Sequence, residues 1–296
     1  MKNNCEKRKV ELLIVSDIHL GTYGCHAKEL LHYLSSIDPE KIILNGDIID
    51  IWQFNKRYWP KSHMQVLYHI INWIIEGKDV VYITGNHDEM LRKFKGTRLN
   101  NFSLLNKLVI EFPDNKKAWI FHGDVFDVTM KHSKWIAKLG GKGYDILILL
   151  NRFINWISKS LGRGKISLSK KIKNSVKSAV KFINNFEETA VGIAAEKNYD
   201  YVICGHIHQP EIRKIKVPNG HVMYLNSGDW IENLTSLEYN KGKWRIFKYE
   251  DEFGVNSVET KNELSELENE FKLLDNNVLF ENLLEEFNII PHKKVN

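Results

Sequence analysis

The stretch Asn45-Gly46-Asp47-Ile48-Ile49-Asp50 follows the apolar run Ile42 to Leu44, and four other stretches share that construction. Ser16-Asp17-Ile18-His19 closes the run Leu12 to Val15, and Gly85-Asn86-His87-Asp88 follows Val80 to Ile83. His122-Gly123-Asp124 closes Trp119 to Phe121, and Gly205-His206-Ile207-His208 closes Tyr201 to Cys204. Short runs of β-branched and aromatic residues read as strands buried on both faces, typical of a covered parallel sheet. The Asp, Asn and His residues then fall at strand ends, where α/β folds gather their chemistry. None of these donors is a thiolate, so the set suits Mn, Fe or Zn and excludes a cysteine-based structural zinc site.

The pattern elsewhere agrees with an α/β domain. Helical spacing is read at His26 to Ile37 and at Trp59 to Ile75, the latter with Met64, Leu67, Ile71, Ile74 and Ile75 on one face and Gly77 beyond its end. Strand and helix alternate up to Thr84, as in βαβ units. Past His206 the texture becomes strand-rich: Val222 to Leu225, Thr235 to Tyr239 and Lys243 to Lys248, the last two joined at Asn240-Lys241-Gly242. Two packed sheets with helices outside are expected over residues 1–250. A helical insertion is expected at about 128–198, and an acidic tail, helical or disordered, over 251–296.

With 296 residues, 43 % hydrophobic and 27 % charged, the chain has the composition of a globular protein of one large domain. Three unframed cysteines argue against a disulfide scaffold and for a reducing, cytoplasmic compartment. No apolar run approaches the ~20 residues of a spanning helix. The net charge of +5 is uneven. From Lys131 to Lys181 there are thirteen Lys and Arg against the single acid Asp145, so this segment is a candidate surface for an anionic partner.

The donor types fit a two-ion centre. Two divalent ions ~3.5–4 Å apart need a bridging ligand, and a carboxylate has two oxygens to serve. Asp47, the central acid, is the expected bridge. Asp17, His19 and His208 would complete one ion's shell, and Asn86, His122 and His206 the other's. An extended backbone at His206-Ile207-His208 would point both imidazoles the same way, one toward each ion. Bound ions would acidify a shared water toward neutral pH. His87 would protonate a leaving oxygen or hold phosphoryl charge, with Asp88 orienting it. Asp50 and Asp124 read as supporting or turn residues.

These five motifs, Asp17-x-His19, Gly46-Asp47-x-x-Asp50, Gly85-Asn86-His87-Asp88, His122-Gly123-Asp124 and Gly205-His206-x-His208, together resemble the signature of the calcineurin-like metallophosphoesterases over roughly residues 11–250. The resemblance implies a four-layer αββα sandwich with a di-metal site at the residues named. Ser16 to Thr22, Tyr58-Trp59-Pro60, the insertion after His122 and Asn226-Ser227-Gly228-Asp229-Trp230 look like the bacterial UDP-2,3-diacylglucosamine pyrophosphatase group of lipid A synthesis. That likeness implies Mn²⁺ as cofactor and cleavage of a UDP-sugar lipid to UMP and a lipid phosphate. The chain departs from that group at His87, where its best-known members carry Arg.

Candidate substrate contacts are Asn86, Asp127, His132, Arg152, Arg163 and Lys165, with Trp135, Leu149, Phe153, Trp156 and Ile157 for acyl chains. Peripheral contact with an anionic cytoplasmic leaflet is also expected. The alternatives are an insertion whose apolar side is simply core, a phosphodiesterase or phosphatase on soluble substrates, a nuclease, or a non-catalytic scaffold. Nucleic acid fits less well, because the lysine-rich run from Lys159 to Lys181 has no interleaved stacking aromatics, Phe182 and Phe186 following only at its end.

Overall fold

The computed structural model describes residues 7–51, 59–126 and 183–254. The chain divides into two units, Met1–Tyr249 and Glu250–Asn296; of the second, only 250–254 are described, the first four of them in the short helix Tyr249–Phe253.

The first unit is built on two sheets. β1 (Arg8–Val15), β2 (Ile37–Asn45), β3 (Asp79–Ile83) and β5 (Phe102–Leu105) run parallel in one sheet. The edge strand β4 (Arg98–Leu99) and the hairpin β11 (Thr235–Asn240) and β12 (Lys243–Lys248) complete its order, β12-β11-β1-β2-β3-β5-β4. The second sheet has the order β6-β7-β8-β10-β9, from β6 (Lys107–Glu111), β7 (Lys117–Phe121), β8 (Tyr201–Cys204), β9 (Glu211–Val217) and β10 (Gly220–Asn226). Its central strands β7, β8 and β10 are again parallel.

Period-2 side-chain alternation makes four layers from these strands. Ile42 and Leu44 of β2, and Val80 and Tyr82 of β3, face a core shared with helices α1 (Ala27–Ser36) and α2 (Lys61–Ile75). The intervening Ile43, Val81 and Ile83 face the other sheet, meeting Ala118, Ile120, Tyr201 and Ile203. Val202, Cys204 and Phe121 turn outward again, onto helical residues 183–196 through Phe186, Ala190 and Ala194. Each central strand is therefore apolar on both faces, which is why it reads as an unbroken hydrophobic run. The layers are α, β, β and α, the sandwich expected from the sequence.

Two differences from the sequence reading are informative. The buried face of α2 is His63, Val66, Ile70 and Trp73, whereas Met64, Ile71 and Ile75 point outward. The helix is apolar nearly all round, so periodicity alone does not fix its phase. Strands β6 and β9, the two edges of the second sheet, are cut short or broken by charge, β6 by Lys107 and Glu111 and β9 by Arg213, Lys214 and Lys216, and escape a search for apolar runs. Of the expected insertion at 128–198, only 183–198 falls among the described residues; the expected tail lies outside them apart from 251–254.

Candidate metal centre

The carboxyl ends of β1, β2, β3, β7 and β8 release the five motif loops toward one another. Backbone bonds join the first two: Asp17 N–H donates to Gly46 O (3.0 Å), His19 N–H to Asp47 O (2.9 Å) and Leu20 N–H to Ile48 O (2.9 Å). Side chains approach so closely that two glycines are obligatory. A Cβ on Gly46, itself at φ +82°, would strike the His122 ring, and one on Gly85 would strike the Asp47 carboxylate. Asp17, His19, Asp47, His206 and His208 all hold left-handed backbone, with φ between 52° and 67°. Such conformations cost of order 1–3 kcal/mol each and persist only where surroundings impose them, which is characteristic of functional sites. His206 and His208 therefore do not lie on the extended segment expected from the sequence; left-handed turns aim their rings instead.

The side chains gather in two sets about Asp17 and Asp47, and a third set, His19, Asp50 and His87, shares His19 with the first. Ligand-type atoms of Asp17, His19 and His208 lie within 4.8 Å of one another, as do those of Asp47, His122 and His206. His208 Nε2 is 3.2 Å from Asp17 Oδ1, and His122 Nε2 is 3.2 Å from Asp47 Oδ2. The same Asp47 oxygen is 3.8 Å from His19 Nε2, so it reaches a histidine of each set. Second partners fix the rings. His122 Nδ1 donates to Asn45 O at 2.8 Å, His208 Nδ1 lies 2.9 Å from Asp229 Oδ2, and His19 Nδ1 lies 3.4 Å from Asp50 Oδ2. With Nδ1 engaged, each ring presents Nε2 inward, as a metal-ligating imidazole does.

Charge is strongly coupled here. Burial pushes the Asp17 and Asp47 carboxyls up, yet the imidazoles of His208 and His122 hold both below the usual range. Burial pushes His208 down, but Asp17 and Asp229 raise it to about 10. The imidazoles and carboxylates thus favour one another's charged forms. Asp17 Oδ1, His19 Nε2, Asn86 Oδ1 and His122 Nε2 are buried, and beyond the 3.2 Å ion-pair contacts of Asp17 and His122 none has a well-aligned hydrogen bond. Buried polar atoms are normally satisfied. A convergent set of acceptors, with histidines able to surrender their protons, fits divalent cations.

His87 and its neighbours correct one expectation. Asp88 does not orient His87: its buried carboxylate accepts from Tyr82 Oη (2.6 Å), Gly85 N (2.6 Å) and Ile48 N (3.0 Å). It ties the Asn86 loop to the Asp47 loop. The carboxylate behind His87 is Asp50, with Oδ2 2.8 Å from Nδ1. Burial lowers the His87 pKa, but Asp50 overcomes it and the net shift is upward. Asp124 accepts from Arg92 Nη2 at 2.5 Å, and the same guanidinium donates to Gly85 O at 3.1 Å, bracing the Asn86 loop against the His122 loop. Asp229 and Arg92 were not read as site residues from sequence. Only the ring-to-carboxylate contacts reveal Asp229, and Arg92 sits in the 3₁₀ turn Glu89–Phe94 outside every motif. Of the expected substrate contacts, Asn86 is at the centre; Asp127, His132, Arg152, Arg163 and Lys165 lie outside the described residues.

Two sheets converging on paired Asp/His clusters define a metal-dependent phosphoesterase. A calcineurin-like phosphoesterase model matches residues 10–210, and the chain belongs to that family. Among curated relatives, the UDP-2,3-diacylglucosamine hydrolase of Blochmanniella pennsylvanica (strain BPEN) is 23 % identical over 238 residues, covering 78 % of this chain and 93 % of that one. The enzyme of the same name from Aliivibrio fischeri (strain MJ11) is 22 % identical over 249 residues, covering 81 % and 98 %. Among solved structures, the phosphoesterase Yfce of E. coli aligns with a TM-score of 0.41 at 11 % identity, covering 81 % of this chain and 93 % of that one. The chain is a metal-dependent hydrolase.

Proposed function

We propose that this hydrolase cleaves the pyrophosphate of a UDP-sugar lipid of the UDP-2,3-diacylglucosamine type, releasing UMP and a lipid phosphate, with two Mn²⁺ ions held by the clusters described. The observation that carries the hydrolytic reading is the shared Asp47 oxygen, within 3.2 Å of His122 Nε2 and 3.8 Å of His19 Nε2. The substrate reading is supported by the relatives named UDP-2,3-diacylglucosamine hydrolase, which align over most of the chain.

Asp17, His19 and His208 would hold one ion, Asn86, His122 and His206 the other, and Asp47 both. When bound, the ions would supply an acidified water and neutralise charge on a phosphoryl oxygen. The neutral amide of Asn86 adds no negative charge toward an anionic substrate. His87, engaged by Asp50 at Nδ1, would donate a proton to the departing oxygen or hold charge on the phosphoryl group. Arg152, Arg163 and Lys165 are the proposed contacts for the sugar phosphate, at a cytoplasmic membrane surface.

The test is product analysis with Mn²⁺ and UDP-2,3-diacylglucosamine, run beside bis-p-nitrophenyl phosphate, with Asp47→Ala as the blank. UMP released in preference to p-nitrophenol supports the proposal. Diester cleavage without UMP overturns the lipid substrate and leaves a phosphodiesterase acting on soluble esters.

A further inference from the structure

The outward face of α2 carries Met64, Tyr68, Ile71 and Ile75, exposed by 53, 65, 51 and 76 %. Their spacing of four, three and four residues is that of a coiled-coil seam. No described residue covers them. Beside the seam, Leu67, Ile74, Leu99 and Phe102 help line an apolar recess of about 290 Å³, and Leu99 is itself 64 % exposed. A contiguous apolar surface of this kind marks a contact face.

We propose that this face pairs α2 with the α2 of a second copy of the chain, antiparallel, about a two-fold axis passing near residues 69–70. The seam is symmetric about that point, with residues 64 and 75 and residues 68 and 71 exchanging places, as a self-complementary interface requires. The charges agree. Lys61 opens the helix and Glu76 caps its end, both exposed. Antiparallel pairing sets Lys61 of each copy against the C-terminal turn and Glu76 of the other, where a cation meets the negative end of the helix dipole. Parallel pairing would set Lys61 on Lys61.

Area is sufficient. Large apolar side chains at these exposures present on the order of 100–150 Å² each, so Met64, Tyr68, Ile71, Ile75 and Leu99 of both copies together offer about 1,000–1,500 Å² to bury, the lower range of specific interfaces. The residues flanking the seam on its open side, Gln65 and Asn72, are neutral. A face meant for an anionic membrane would carry Lys and Arg there.

Sedimentation velocity over a wide concentration series tests this. The expected result is a monomer–dimer equilibrium whose dissociation constant rises about 100-fold or more in Ile71→Glu/Ile75→Glu, with the thermal midpoint unchanged at dilutions where the native chain is itself monomeric. Lys61→Glu and Glu76→Lys should each weaken the dimer about 3- to 10-fold, and the two together should restore it. A chain that stays monomeric, a dimer that survives the double glutamate variant, or charge reversals without mutual rescue would overturn the pairing. So would a monomer that co-sediments with anionic vesicles through the same side chains.

Discussion

Asp50 Oδ2 stands 2.8 Å from His87 Nδ1 and 3.4 Å from His19 Nδ1, so one buried carboxylate supports both a ring proposed to ligate metal and the ring proposed to transfer a proton. The two jobs separate on mutation. His87→Ala should lower kcat by about 10²- to 10⁴-fold, the range of a lost general acid, while bound metal stays at its wild-type level. Asp50→Asn should lower kcat less but also weaken metal binding, because His19 loses its support. Steady-state kinetics with metal analysis of the same samples distinguishes the two. Equal metal loss in both variants would contradict the assignment.

Arg92 bridges Gly85 O and Asp124 Oδ2, joining the loops that carry Asn86 and His122. Its removal should act on the ions and not on the fold. Arg92→Ala is expected to weaken Mn²⁺ binding by about 10- to 100-fold, as loss of a ligand's supporting contacts does, with the shortfall in turnover recovered at high Mn²⁺. Titration of activity against Mn²⁺ is the check; an unchanged metal requirement would contradict it.

Away from the site, Glu238 accepts from Arg8 (2.6 and 2.7 Å), Arg245 (2.7 Å) and Tyr33 Oη (2.7 Å). Burial raises its pKa, but these bonds overcome burial and hold it below its ordinary 4.5. A carboxyl depressed on folding stabilises the protein fully above its unfolded value and loses that contribution as pH falls through the folded one. Stability should therefore decline below about pH 4.5 partly through Glu238. Glu238→Gln should lose roughly 2–3 kcal/mol near neutral pH, discounted because both arginines are partly exposed, and flatten that part of the acid limb. Denaturant melts of both proteins between neutral pH and pH 3 measure this; parallel curves would contradict it.

The loops were legible in the sequence because each ends a strand buried on both faces, so polar residues such as Asp17, Asp47 and His122 stand out against apolar runs. Pairings between side chains were not. Asp88 follows His87 directly in the chain, yet its oxygens are taken by Tyr82, Gly85 and Ile48, while Asp50 reaches the imidazole from a different loop. Asp229 meets His208 from the turn after β10, a contact only tertiary structure creates. The phase of α2 was hidden for a different reason. Met64, Ile71 and Ile75 are as apolar as the Val66, Ile70 and Trp73 that the core takes, so hydrophobicity carried no directional signal.

A two-ion centre bridged by Asp47 is tested most directly by counting bound metal. Protein loaded with Mn²⁺ and freed of excess should retain two ions per chain, with a thermal midpoint above that of the chelated protein. Asp47→Ala should remain folded, lose at least one ion and lose turnover. A folded wild-type chain that retains one ion or none, or an Asp47→Ala protein that keeps both, would contradict the account.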